Sequence, residues 1–435
     1  MEGSASHGLG QWVEKVVERT KKIGRDDPRR IIHAFKVGLA LTLVSLFYYF
    51  KPLYDGFGVN AMWAVLTVVV VFEFSVGATL GKGFNRMMAT LLAGGLGAGA
   101  HRLATLTGRS GEPVLIAIFV FIIAAIVTFA RFYPAMKARY DYGLLIFILT
   151  FSLVSVSGYR DSQVLKMAKE RLMTIMVGSC TTILVCVCIC PVWIGQDLHN
   201  LIADNMEKLG NFLEGFGGEY FQESENDESN NDKSFLQDYR SILTCKNSEE
   251  TMANLAKWEP CHGRFRFRHP WKQYLKIGSL SRECAYKIEA LNCYLNSNTT
   301  VQTSNIEMKR RVQESCTKIG KGTGKALKEL GSTTRKMRRS RSADLYIISS
   351  KTAGEELKVQ LRMTKLENAD ILEMVTVAAV ASLLFDVVEC TQKVAEAVYD
   401  LADLAGFKNT DAAVSPESNL VQVQPGSQHV ITISE

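Results

Sequence analysis

A chain of 435 residues with 47% hydrophobic residues and a net charge of +6 is long enough for two or three domains, and too weakly basic for charge alone to name a partner. Its ten cysteines include no CxxC pair, so a zinc site and a disulfide framework are not expected and free thiols are. The mean hydropathy of +0.05 averages two unlike parts, strongly apolar up to about Trp193 and polar and charged beyond it.

Residues 1–30 read as a short amphipathic or irregular lead. They lack the apolar core of a secretory signal and carry Lys15, Arg19, Lys21, Lys22, Arg25, Arg29 and Arg30, which argues for a cytosolic N-terminus. Asp27-Pro28 predicts a helix start, the Asp as cap and the Pro in the first turn. The first span is Ile31 to Phe50, about 20 residues and enough to cross a hydrocarbon core. Lys36, about one and a half turns in, reads either as a lysine snorkelling to the cytosolic surface or as a cation at a pore entrance. Lys51 to Phe57 is a turn, and Gly58 to Phe72 a shorter second span in which Trp63 fits an interface or a pore. The third runs from Ser75 to Leu106, the fourth from Val114 to Ala130, and the fourth carries no charge and so should meet lipid. Arg131, Lys137, Arg139 and Asp141 form a basic connection before the fifth span, Tyr142 to Val156. Ser157 to Lys169 connects to the sixth, Leu172 to Trp193.

Six spans put both termini on the cytosolic side. The connection into the sixth then lies on the far side, yet carries Arg160, Lys166, Lys169 and Arg171 against the usual depletion of far-side cations. Either the topology is wrong or those cations are retained because they line an anion entrance, and the second is the expectation. The same logic applies to Phe72–Thr90, which places Glu73, Lys82 and Arg86 inside or at the edge of an apolar region. A charge at membrane depth costs at least ~2.5 kcal/mol and usually faces a pore or a partner. Lys82 and Arg86 are four apart and share a helix face. Gly77 and Gly81, like Gly95 and Gly99, allow close helix approach. The expectation is a helix packed by glycines with a cationic stripe turned from lipid, and Glu73 in an ion pair.

After Trp193, Asp197 to Phe216 has helical spacing of Leu198, Leu201, Ile202, Met206, Leu209 and Leu213. An acidic linker follows near 219–232. Phe235 to Ala256 reads as a helix, Trp258 to Trp271 (WEPCHGRFRFRHPW) as a turn-rich aromatic and basic segment, and Tyr274 to Tyr294 as another helix. Asn298-Thr299-Thr300 is a sequon that is inert on a cytosolic face. Ile306 to Leu330 reads as a basic helix interrupted at Gly320, Gly322 and Gly324. The Arg335–Arg341 cluster, with Ser340 inside it and Ser342 beside it, suits lipid contact or phosphorylation of those serines rather than nucleic acid. Glu355 to Asp403 is the longest amphipathic pattern, and the residues from 408 onward read as a disordered tail. A Walker loop ending at Gly324-Lys325 fails, because Ile319 and Ala326 stand where Gly and Ser or Thr are needed. No catalytic constellation, cofactor site or metal site is expected.

FEFSVGATLGKGFNR (Phe72 to Arg86), ARYDYGLLIFILTFSLVSVSGYR (Ala138 to Arg160) and WEPCHGRF (Trp258 to Phe265) make the chain resemble the plant aluminium-activated malate transporter family, largely a family of anion channels. The resemblance covers roughly Pro28 to Asp403. Cys261 stands where a second proline is common in that family, and the tail is short for it. The resemblance implies an all-α homodimer, each protomer with a six-span pore domain over 31–193 and a helical cytosolic domain over 194–407. It implies passive passage of malate and other organic or inorganic anions, with Lys36, Lys82, Arg86, Lys137, Arg160 and Arg171 along the path. Trp258, Glu259, Pro260 and His262 would form a structural or gating element, together with Glu73 and Trp63. Bacterial aromatic-acid exporters have a similar layout, so a proton-coupled organic-acid exporter is the alternative. Lipid is the expected surrounding partner, and the short N-terminus favours the plasma membrane over the vacuolar one.

Overall fold

The structure, a computed structural model, describes residues 14–22, 24–49, 61–108, 111–157, 164–219, 235–266, 268–297, 306–365 and 371–409. These residues are mainly helical, joined by turns, with two strands of two residues each and one isolated bridge, which is the expected all-α class.

α1 (Arg29–Tyr49) starts where Asp27-Pro28 predicts, with Asp27 Oδ1 accepting from the Arg29 N–H at 3.1 Å. α2 (Ala61–Val71) and α3 (Val76–Thr105) follow, and Ser75 caps α3 by accepting from the Ala78 N–H at 3.3 Å. α4 (Glu112–Ala130) carries Pro113 in its first turn. α5 (Pro134–Ser157) and α6 (Val164–Cys188) begin earlier than the sequence reading placed them. Pro134 suits a first turn, so Lys137, Arg139 and Asp141 are helical rather than part of a connection.

Among the described residues, four segments are long and apolar enough to cross a membrane: Arg29–Phe47, Glu112–Ala130, Pro134–Val156 and Lys169–Cys188. α2 has 11 described residues, and 50–60 before it lie outside the described residues. α3 has the length, 30 residues, but its glycines, Lys82, Arg86, His101 and Arg102 dilute its hydropathy. α4 has Ile116 as its one buried residue and exposes Phe121 and Phe129, as a lipid-facing helix should. Ala40, Val44, Ala64, Val68, Phe72, Val76, Val185 and Cys186 form the core where α1, α2 and α6 meet.

The carboxy-terminal bundle contains α7 (Ile194–Glu219), α8 (Phe235–Asp238), α9 (Arg240–Thr244), α10 (Lys246–Ala256), α11 (Trp271–Ser297), α12 (Ile306–Lys336), α13 (Ser342–Lys365) and α14 (Ile371–Ala405). The single helix expected over Phe235 to Ala256 is three short ones, whose turns bring both Tyr239 and Ile242 into the core. β1 (Arg338–Arg339) pairs in parallel with β2 (Lys408–Asn409), so the first residues assigned to the tail are a strand. Residues 410–435, the Lys51–Phe57 turn, most of the acidic linker and the sequon lie outside the described residues.

α12 corrects the sequence reading most directly, because it runs unbroken through Gly320, Gly322 and Gly324. Gly320 and Gly324 are where α12 touches α7, and Gly322 is where it meets Ser350 of α13. A Cβ on Gly324 would lie 2.7 Å from the Gly210 carbonyl oxygen, and one on Gly210 would lie 2.7 Å from that of Gly324. A glycine in a helix costs roughly 1 kcal/mol relative to alanine, and the close backbone approach it permits offsets that cost. Gly324→Ala should therefore destabilise by about 1–3 kcal/mol, the cost of overpacking, where propensity alone predicts a gain. Thermal unfolding of the purified full chain checks this. A raised melting temperature would remove glycine packing as the reason the helix is continuous.

Candidate functional site

α3 carries the charge in the apolar part of the chain. Its Lys82 forms an ion pair with Glu73, which stands just before the helix, so Glu73 pairs as expected. One turn on, Arg86 is 3% exposed and donates from Nη1 to Tyr142 Oη on α5 at 2.9 Å. Lys82 Nζ lies 5.6 Å from the same tyrosine ring. Asn85 donates from Nδ2 to the Arg139 carbonyl at 3.1 Å, which locks α3 to α5 between the two cations.

Arg171 of α6 is 5% exposed and lies 4.1 Å over the Trp63 ring of α2, a cation–π contact. The charge of Arg86 is near enough to act on it. Neither arginine Nε has an acceptor, and neither have the buried hydroxyls of Thr90, Ser155 and Ser179. Among the described residues, no carboxylate pairs with Arg86 or Arg171. Each of these buried guanidiniums, without a carboxylate among the described residues, keeps an N–H from which a small anion gains a charge-assisted hydrogen bond.

The other expected cations are arranged differently. Lys36 does not snorkel: it is 1% exposed and donates to the Cys190 carbonyl at 2.9 Å, tying α1 to the end of α6. The carbonyl end of a helix attracts a cation, which explains the inward turn. Lys36 and Glu73 both act on His33, which rests against Phe72 and Phe74. Lys137 is exposed near Asp141, and Arg160 lies outside the described residues. Tyr142 and Trp193 were missed as partners, since one reads as the start of a span and the other as an interface aromatic.

The WEP turn joins α3 to the bundle. Gly81 faces Trp258, whose Cδ1 would lie 3.1 Å from an added Cβ, and Gly77 sits against the Leu255 carbonyl. Phe84 packs 5.5 Å from the Trp258 ring, centroid to centroid. Glu259 is buried and accepts from the Ile194 N–H at 2.7 Å and the Gly195 N–H at 3.1 Å, capping the first turn of α7. Burial pushes its carboxyl up to about 7, despite those two bonds and with the charge of Asp197 adding to the rise. His262 stacks on Trp193 with ring centroids 3.8 Å apart, and its Nδ1 is 2.9 Å from the Pro260 carbonyl. Burial lowers its pKa, so it is neutral at pH 7, and its Nε2 lies 3.9 Å from Glu259, beyond hydrogen-bond range. The Val76 N–H also donates to the Val192 carbonyl at 3.0 Å. The start of α3, the WEP turn and the start of α7 are thus one hydrogen-bonded unit. Ser340 and Ser342 lie elsewhere, bonded to each other at 2.7 Å, with Ser342 donating to Glu329 at 2.7 Å.

The raised pKa of Glu259 has a definite sign. Folding favours its protonated form, so this contribution to stability is fully present below about 4.5 and is lost as pH rises through about 7. Between pH 5 and 8 the melting temperature of the purified chain should fall more steeply than that of Glu259→Gln. Glu259→Ala, which leaves the Ile194 and Gly195 donors unmatched, should cost about 1–3 kcal/mol at any pH. Parallel pH profiles for wild type and Glu259→Gln would remove the titration from this junction.

A family model described as aluminium activated malate transporter matches residues 21–366. Aluminum-activated malate transporter 2 of Arabidopsis thaliana is 49% identical over 421 residues, which is 96% of this chain and 83% of that protein. Aluminum-activated malate transporter 7 of the same plant is 48% identical, covering 91% of this chain and 84% of its own. Aluminum-activated malate transporter 1 of Triticum aestivum is 43% identical, covering 93% and 88%. With that match over most of its length, and with four helices suited to crossing a membrane, the chain is a membrane protein and belongs to the aluminium-activated malate transporter family, whose members are transporters rather than enzymes.

Proposed function

We propose that this chain is a passive channel for malate and other small organic or inorganic anions, with Arg86 and Arg171 as the central contacts. The observation that carries the reading is the two buried guanidiniums, which have no carboxylate partner among the described residues. A dicarboxylate loses hydration as it enters a membrane, and arginine N–H groups replace those contacts. Lys82, held by Glu73, and Lys36, held by the Cys190 carbonyl, would set the local field at one end of the path. Lys137 and Arg160 would draw anions to its mouths. Conduction needs binding that is spread and weak enough to release the ion.

The proposed architecture has six membrane-crossing helices, α1–α6, within a pore domain over 31–193. The bundle over 194–407 and both termini lie in the cytosol, and two copies form a homodimer. The plasma membrane is the proposed location. Trp258, Glu259, Pro260 and His262 would pass bundle movements to α3, with Trp63 and Glu73 bracing the pore side. Phosphorylation of Ser340 or Ser342 would place a second anion against Glu329 and part α13 from α12.

Voltage clamp of cells expressing the chain, loaded with malate, tests the function. The reversal potential should follow the malate gradient and ignore an imposed proton gradient. A reversal potential that follows pH would establish the coupled exporter instead. Arg171→Gln and Arg86→Gln should each lower malate conductance about tenfold, the scale of one lost charge-assisted hydrogen bond of ~1.5 kcal/mol, with surface delivery unchanged. Unaltered conductance and selectivity in both would sink the assignment of the path.

A further inference from the structure

A second cationic site lies outside the proposed path, on the seam between the apolar helices and the bundle. Arg139 is exposed on α5, about 8 Å along the helix from its first residue at 1.5 Å per residue. Its guanidinium lies 5.6 Å over the Trp258 ring and 5.4 Å from that of Tyr140. Lys257, at the end of α10, and Lys272, at the start of α11, are exposed on the bundle side. Lys257 immediately precedes Trp258, whose ring lies under Arg139, and Lys272 follows Trp271 at the start of α11; in keeping with this, burial and then the charges of Arg139 and Lys272 hold the Lys257 pKa below the usual lysine value. Lys257 donates to the Asn254 side-chain carbonyl at 2.9 Å, and among the described residues none of the three has a carboxylate partner. The nearby acids are engaged elsewhere: Asp141 with Arg131, and Glu259 with the start of α7.

Like charges gathered in this way oppose one another, and a doubly charged anion between them reverses the sign of the interaction. The position selects the kind of anion. α4 and α5 meet in a turn that exposes Phe132 at 78% and Tyr133 at 66%, aromatics that suit the membrane interface. A cation six residues into α5 then stands at headgroup depth, beside the bundle.

We propose that Arg139, Lys257 and Lys272 bind the phosphomonoester headgroup of an anionic lipid, such as a phosphoinositide, in the leaflet that faces the bundle. The phosphate would bridge α5 to α10 and α11. Trp258 lies under Arg139 and against Gly81, and the Arg139 carbonyl is held by Asn85, so occupancy stiffens the seam next to Lys82 and Arg86. This rests on the membrane placement of α4 and α5 and not on conduction.

The test is binding of a fluorescent dioctanoyl phosphatidylinositol bisphosphate to the purified full chain in nanodiscs, read by anisotropy. Saturable binding should weaken at least about tenfold in Arg139→Gln/Lys257→Gln, given the usual share of each basic residue in lipid attraction. It should weaken by a smaller factor in Lys272→Gln, and persist in Arg139→Lys/Lys257→Arg and in Lys393→Gln on α14. Equal affinity in wild type and the glutamine variants overturns the proposal. So does displacement by soluble inositol trisphosphate or inorganic phosphate as effective as by the unlabelled lipid, which would make the ligand a free polyanion. Because the readout is binding, a chain that carried no anion current would leave this result intact.

Discussion

A guanidinium removed from water needs a counter-charge, and the effective penalty is several kcal/mol per ion when none is supplied. α3 and α6 accept that penalty twice, at Arg86 and Arg171, while nearby carboxylates are engaged elsewhere, Glu73 with Lys82 and Asp141 with Arg131. The helices around them can be read as supports for two strained charges. Tyr142 and Asn85 hold the α3–α5 seam, and Trp63 gives Arg171 a π face instead of an anion. An arrangement that keeps its cations buried and incompletely bonded is suited to transient ligands. A single tight ion pair at each arginine would fill the site with the protein's own groups.

The carboxy-terminal bundle reaches this region through small residues. Gly77 and Gly81, five residues and one residue before Lys82, let α10 and the Trp258 ring lie directly on α3. Glu259 meanwhile holds the first turn of α7, so a shift of α7 is felt at α3 across a few covalent bonds and two hydrogen bonds. Such a unit moves as a body or not at all, which is the property a coupling element needs. Burial lifts the Glu259 carboxyl to about 7, well above the ordinary carboxylate range. His199 and His269, both pushed down to about 4 by burial around Tyr274, stay neutral at pH 7 and contribute packing and hydrogen bonds only.

Glycine has opposite local and tertiary meanings in this chain. In sequence, Gly320, Gly322 and Gly324 look like breaks, because glycine weakens an isolated helix. In the fold they are the contact line of α12 with its neighbours, Gly320 and Gly324 against α7 and Gly322 against Ser350 of α13, and the helix is continuous because a side chain there would keep the partners apart. Four-residue spacing in an apolar run does not decide the matter either: Gly77 and Gly81 lie against the Leu255 carbonyl and the Trp258 ring, whereas Gly95 and Gly99, expected to allow the same close approach, have nothing within 4 Å.

The amino-acid sequence by itself determined the helical class, the change from apolar to polar near Trp193, the helix start at Asp27-Pro28 and the charged stretch from Glu73 to Arg86. It also pointed to the family, because long contiguous motifs survive without any knowledge of contacts. All of these are local properties: hydropathy over a window, a capping pair, a charge within an apolar run. Only the tertiary structure decided which cations face one another. Lys36, Lys82, Arg86 and Arg171 look alike in sequence, yet one caps a helix end, one is neutralised by Glu73, and two are buried without an acid among the described residues. The difference lies in what stands within hydrogen-bond distance from other helices, up to 154 residues away for Lys36 and Cys190. Electrostatic energy depends on distance in space and on the surrounding dielectric, and a linear pattern carries neither.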